Sequence, residues 1–231
     1  MPGSGDPFLE QLYLSLRDLL SVRRRLILAI SGGADSTALL LGATRLSDRL
    51  KATLLVVTVD HGLRASSSAV AKRVVASAKG LGVRAVVKRL KLGRGPGIEE
   101  RARAQRYAAL EAVRRQRRFE QIATAHTAND QAETLLMRLA RGTALGGAAA
   151  ILERRDRVIR PLLFATRPQV VAWLKAQGAR WHEDPMNADT TLLRTRVRAR
   201  VLPALEKATD GRVALRLARF ARLASDDDAL L

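Results

Sequence analysis

The chain has 231 residues, with 41 Lys plus Arg against 22 Asp plus Glu, giving a formal charge of +19, and it contains no cysteine. The positive excess points to a polyanionic partner, nucleic acid before an anionic membrane surface, while the lack of Cys excludes disulfides, thiolate metal sites, iron–sulfur clusters and a thiol nucleophile. Aromatic residues at 3% are too few for a sheet that stacks bases, no run approaches the roughly 18–20 apolar residues that span a bilayer, and Met1 to Glu10 lacks the form of a secretory signal.

No membrane association is therefore expected, and the cytoplasm is the expected location. The first two-thirds of the chain alternates short apolar runs with helical patterns. Leu26 to Ile30 predicts a strand that stops at Gly32-Gly33, and Ser36 to Leu46 predicts a helix. Thr53 to Val59 predicts the second strand and Ser66 to Leu81 the helix after it. Val83 to Leu90 and Ile98 to Arg118 form the third such pair. Gln121 to Ala125 is a weak fourth strand, with a helix over Ala128 to Leu139. Strands without polar alternation, separated by helices, predict an α/β fold: a doubly wound, mainly parallel sheet with a helical C-terminal extension. Ligands of such sheets bind beyond the carboxyl ends of the strands, where strand order reverses. The loops after Ile30, Val59, Leu90 and Ala125 are thus the ones that matter.

After Arg160-Pro161 a helix over Pro168 to Gln177 leads to Trp181 and a polar turn, Glu183 to Asn187. A basic tail follows, with nine Lys or Arg against two acids between Arg194 and Arg222. Over Arg212 to Leu223 one helical face carries Arg212, Arg216 and Arg219, and another carries Val213, Leu217 and Phe220. Asp226, Asp227 and Asp228 read as the start of a helix with nothing to cap, as if the chain were cut short there.

The heptapeptide Ser31-Gly32-Gly33-Ala34-Asp35-Ser36-Thr37 sits where a strand meets a helix. Two glycines let the backbone turn tightly and bring amide hydrogens to an anion, and the helix N-terminus adds about half a positive charge. Ser31, Ser36 and Thr37 offer hydroxyls to phosphate oxygens. Asp35 repels phosphate unless a divalent cation bridges the two, which implies magnesium. The loop matches neither Gly-Lys-Ser/Thr nor G-x-G-x-x-G. Ser-Gly-Gly-x-Asp-Ser after a first strand resembles the PP-loop pyrophosphatases. That resemblance implies a loop that grips the pyrophosphate of ATP while the α-phosphate adenylates a carbonyl oxygen.

Further motifs follow in order: Val57 to Arg64, Gly95 to Glu100, Arg103 and Arg106-Tyr107, Ala125 to Thr134, Arg141 to Thr143, Ile159 to Leu163, Glu183 to Asn187, Arg194 to Arg198, and Leu202-Pro203. This series resembles the bacterial tRNA(Ile)-lysidine synthases over roughly residues 25–205. The resemblance implies a ligase that uses ATP and free L-lysine to convert the wobble cytidine of a CAU-anticodon isoleucine tRNA to lysidine. It implies a PP-loop catalytic domain over 1–205 and a basic helical extension over 206–231. Asn129, Met186 and Thr195 depart from the family pattern, which favours Asp, Ser or Thr, and Asn at these places. The chain also lacks most of the C-terminal region with which long members hold tRNA, so a short form or a truncated chain is expected.

The chemistry asks for carboxylates, because only about one free lysine in 2,500 has a neutral ε-amine at pH 7. Asp130 and Glu133, three apart on a helix, share a face beyond a strand end and are expected to recognise the lysine amines, with one of them able to act as base. The alternative is that both merely complement the helix dipole, with Thr127 as cap. Asp35 is the expected metal ligand. His61 is assigned to the nucleotide, and His126, Arg64 and Arg194 to substrate. Arg196 and Arg198 could share the clamping of a carboxylate or phosphate, and Glu99, Arg103 and Arg106 stand between a site role and an ordinary helix surface. A homodimer is left open. Rival readings are a tRNA base thiolase with an external sulfur source, a small-molecule amide synthetase, and a basic RNA-binding module with a vestigial loop.

Overall fold

The computed structural model describes residues 5–60, 65–90, 97–183 and 193–228. The alternation expected from the sequence is present. Strands β1 (Arg25–Ala29), β2 (Thr53–Asp60), β3 (Ala85–Arg89) and β4 (Gln121–Ala123) are separated by α2 (Ala34–Leu50), α3 (Ala65–Gly80) and α4 (Ile98–Gln116). Helix α5 (Ala128–Leu139) follows β4, and a short α6 (Leu145–Ala148) follows α5. Two elements lie outside the expected pattern. Helix α1 (Pro7–Leu19) precedes the sheet, and a hairpin of two-residue strands, β5 (Arg154–Arg155) and β6 (Val158–Ile159), adds to its edge. Asp6 caps α1 by accepting from the amides of Phe8 and Leu9, Pro7 opens it, and Leu9, Leu12, Leu16 and Leu19 make its buried stripe.

The sheet order is β3-β2-β1-β4-β6-β5, parallel throughout except for the β5–β6 pair. Order runs outward from β1 through β2 to β3, then returns to place β4 on the other side of β1. The switch point therefore lies between the carboxyl ends of β1 and β4. Alternate residues of β1 feed opposite cores, as the two-residue strand period requires. Leu26 and Leu28 pack with α1, α2 and α7 (Arg167–Ala176), while Ile27 packs with Leu110, Val113 and Phe119 under α4.

The C-terminal part is helical. Helix α8 (Leu193–Arg196) runs through a π-helical turn at Val197–Val201 into α9 (Leu202–Ala208). Leu202 donates its amide to Val197 O, five residues back, and Pro203, which has no amide hydrogen, follows at once. Helix α10 (Val213–Asp228) then lies against α5 through Ala221, Ala224 and Leu135. Its fully buried residues are Ala214, Ala221 and Ala224; of the apolar face expected through Val213, Leu217 and Phe220, the first two pack partly buried against this core, whereas Phe220 is half exposed. Close approach of two helices selects alanine there. Asp226 to Asp228 end α10 rather than begin a new helix, and the Asp228 carboxylate sits over Gly146.

Candidate functional site

At the end of β1 the chain turns through Gly32, whose φ is +88°. A Cβ there meets Val70 Cγ1 at 2.8 Å, so both the backbone and the space require glycine. Gly33 caps α2, with Ala34 buried at its first position. The amides of Ala34, Asp35 and Ser36 have no helical acceptor, because the helix begins with them. The Ser36 hydroxyl donates to Gly33 O (2.9 Å) and accepts from the Gly32 amide (3.0 Å) and the Ser31 hydroxyl (3.2 Å). Ser36 is thus the internal pin of the loop. Ser31 is exposed and Thr37 half-buried, so these hydroxyls stand nearer to solvent. The His182 amide donates to Gly32 O at 2.9 Å and lays residues 181–183 along the turn, with Arg73 against His182 Nδ1 at 3.3 Å.

Asp35 occupies the first turn of α2. Its Oδ2 accepts from Arg167 Nη1 at 2.9 Å, whereas its Oδ1 is buried without a hydrogen-bond partner. Burial pushes this carboxyl up to about 6; Arg167 and Arg198 work against the rise, and the negative charges of Asp130 and Glu133 add to it. A buried carboxylate oxygen with no donor is a fitting ligand for magnesium. Among the described residues no three His, Asp or Glu gather closely enough to hold a metal alone. A cation at Asp35 would therefore need further oxygens from outside such a cluster, as magnesium takes from phosphate and water.

Beyond β4, Thr127 caps α5. Its amide and hydroxyl both donate to Asp130 Oδ2, at 2.8 and 3.0 Å. This half of Asp130 is a helix cap. Its other oxygen, Oδ1, accepts from Arg194 Nη2 at 2.6 Å. Glu133 is deeply buried and holds two of the arginines of α8 and the π turn: Arg194 Nε at 2.8 Å, and Arg198 Nε and Nη2 at 2.7 and 3.0 Å. Two carboxylates and two guanidinium groups form one closed network, with Arg194 and Arg198 four apart on one face. Arg196 points away and is exposed. Burial raises Asp130, but Arg194, His126 and the Thr127 hydrogen bonds outweigh it and hold this carboxyl below its ordinary range. His126 accepts or donates through Nδ1 to Thr124 Oγ1 at 2.9 Å, and burial pushes its imidazole down to about 4, so it is neutral at pH 7.

Of the residues singled out in the sequence, Ser31 to Thr37, His126, Asp130, Glu133 and Arg194 come together at the β1/β4 switch point. His61, Arg64 and Met186, and the side chain of Glu99, lie outside the described residues. Arg103 and Arg106 flank the ring of Tyr107, at 5.4 and 5.5 Å from its centroid. Arg103 is exposed, while burial lowers the Arg106 guanidinium. Asn129, one of the departures, has a structural role. Its Oδ1 accepts from the Arg167 amide at 2.8 Å and joins the first turns of α5 and α7. Sequence reasoning passed over Arg167. Its signal was the Thr166-x-x-Gln169 capping box with Pro168, which places the helix start, and with it Arg167, at the carboxyl end of the sheet.

The family model described as the PP-loop domain matches residues 8–205. Among curated proteins, a tRNA(Ile)-lysidine synthase of Thermus thermophilus is 41% identical over 217 residues, covering 92% of this chain and 41% of the relative. Those of Salinispora tropica and Bradyrhizobium diazoefficiens are both 43% identical, covering 89% and 96% of this chain and 63% and 62% of the relatives. The chain thus spans between about two-fifths and just under two-thirds of their lengths. Among solved structures, a U34-tRNA thiolase from Methanococcus maripaludis superposes with a TM-score of 0.76 at 18% identity, covering 94% of this chain and 80% of that one. An NMN synthetase from Francisella tularensis gives 0.56 at 13%, covering 97% and 95%. These two likenesses concern the fold.

Proposed function

The chain belongs to the PP-loop domain family, and on that premise we propose that it carries the catalytic part of a tRNA(Ile)-lysidine synthase. The observation that carries the reading is one juxtaposition: the glycine loop and Asp35 stand beside the Asp130–Glu133–Arg194–Arg198 network at a single switch point. A phosphate cradle and an amino-acid site are what this reaction needs side by side.

The loop amides of Ala34, Asp35 and Ser36 hold the triphosphate of ATP, and Asp35 holds magnesium, which when bound offsets phosphate charge. The oxygen on carbon 2 of the wobble cytosine attacks the α-phosphorus, and pyrophosphate leaves. The ε-amine of lysine then attacks carbon 2, the carbon–oxygen bond breaks, the amine proton is lost and AMP departs. Oxide alone is a hopeless leaving group, whereas AMP leaves readily. The wobble base has to be splayed into the pocket, which costs little in an anticodon loop.

The four-membered network suits a zwitterionic ligand. It is neutral in sum, so a lysine can enter by exchange, its ammonium taking a carboxylate and its carboxylate taking the released guanidinium. Asp130 and Arg194 are the exchangeable pair, with side chains 16% and 37% exposed, while Glu133 at 1% anchors Arg198. Asp130, held below the ordinary carboxylate range, suits the binding of a charged ammonium. The positive excess serves to attract tRNA, and the cytoplasm is the setting such an enzyme requires. A thiolase built on these residues would need an outside sulfur source, because they include no cysteine to carry sulfur or a cluster. The test is incorporation of radiolabelled lysine into a CAU-anticodon isoleucine tRNA transcript. Incorporation that requires ATP supports the reading; tRNA binding without incorporation contradicts it.

A further inference from the structure

Arg167 lies 132 positions from Asp35 in the chain, yet its guanidinium closes on that carboxylate. Its backbone is fixed at the start of α7: Thr166 and Gln169 cap the helix, Pro168 follows, and Asn129 receives the Arg167 amide. The side chain is less constrained. Among the described residues it engages Asp35 through Nη1 alone, and it is 40% exposed against 18% for the carboxylate. Asp35 Oδ1, meanwhile, is buried and unpartnered.

This arrangement treats a bare divalent cation and a phosphate-bound one differently. A bare cation at Asp35 has to share one carboxylate with a guanidinium, and two like charges at contact distance repel strongly in a half-buried site. Among the described residues no group of three acidic or histidine side chains gathers to hold the ion, and Asp130 and Glu133, whose charges reach Asp35, are themselves paired with Arg194 and Arg198. Phosphate reverses the sign, since its oxygens accept both a cation and an arginine fork. We propose that Arg167 makes divalent-ion binding conditional on the nucleotide: it guards Asp35 against the bare cation and turns to the phosphate oxygens when the cation arrives with ATP. The proposal rests on the reading of the glycine loop as the triphosphate site.

The test is direct binding, free of turnover. Mn2+ alone, followed by electron paramagnetic resonance, and the magnesium complex of α,β-methylene-ATP, followed by calorimetry, are titrated into wild type, Arg167→Gln, Arg167→Lys and Asp35→Asn. Arg167→Gln is expected to bind bare Mn2+ about tenfold more tightly and the nucleotide analogue about tenfold more weakly, the opposite signs of one lost charged contact. Arg167→Lys keeps the charge and is expected to keep the exclusion of bare Mn2+, which guards against a merely unfolded Gln variant. Movement of both affinities in the same direction, or of neither, overturns the proposal. If Asp35→Asn leaves analogue binding unchanged, or wild type binds none, the triphosphate reading itself falls, and the proposal with it. If Asp35→Asn weakens the analogue but Arg167→Gln shows no opposed pair, the proposal alone falls.

Discussion

The carboxyl of Asp35 keeps its proton up to about pH 6 because burial outweighs the Arg167 contact. Between 3.8 and about 6 the folded chain binds a proton that the unfolded chain has lost, so Asp35 makes the fold less stable as pH rises through that window. Asp35→Asn is therefore expected to gain stability relative to wild type between pH 4 and pH 7 in urea denaturation, while abolishing pyrophosphate release. A constant difference between the two proteins across that range contradicts the assignment. His126 acts with the opposite sign. Its imidazole is pushed from 6.5 down to about 4, so as pH falls through that interval the unfolded chain takes up the proton first and the fold loses stability. His126→Gln should flatten this acid-side decline. Neither behaviour was visible in the motifs. They name the residue types, whereas the desolvation that sets their protonation comes from side chains distant in the chain.

At the scale of elements, the network joins α5 to α8 and the π turn, so on the proposed function it should couple stability to lysine use. Glu133→Gln leaves Arg198 without its buried partner and should cost about 1–3 kcal/mol of unfolding free energy. Asp130→Asn removes the exchangeable carboxylate. It should raise the KM for lysine about tenfold while sparing adenylation of the tRNA, and an equal loss in both half-reactions would remove Asp130 from the lysine site. The four strands and their helices were legible because uninterrupted apolar runs and glycine stops report burial directly. The Asp130/Glu133 face was legible too, but its pairing with Arg194 and Arg198 was not, since that depends on how α8 crosses α5. Helix α1 carries its leucine stripe openly and could have been read. Strands β5 and β6, two residues each, are held by the Arg160 amide to Glu153 O and the Ile122 amide to Arg157 O rather than by any pattern of their own. On α10 Val213 and Leu217 pack as expected, but Phe220 does not, because hydrophobicity ranks it above alanine while close helix contact ranks them the other way.

For the molecule as a whole, the charge of +19 bears on association more than on the fold. Affinity for tRNA should fall with salt, each phosphate contact contributing roughly −0.7 to −0.9 to the slope of log affinity against log salt. Arg219 and Arg222 are exposed on α10. Replacing both by Gln should shallow that slope without altering the KM for ATP, and an unchanged slope would take this face off the tRNA. No described helix is long and apolar enough to cross a membrane. The site lies at the switch point between β1 and β4, and its assignment stands on what happens to a triphosphate there. The decisive measurement follows ATP labelled at the α-phosphorus in the presence of lysine and the CAU-anticodon tRNA. Labelled AMP, formed one for one with attached lysine, is expected; labelled ADP, or lysine attachment without AMP, contradicts the assignment.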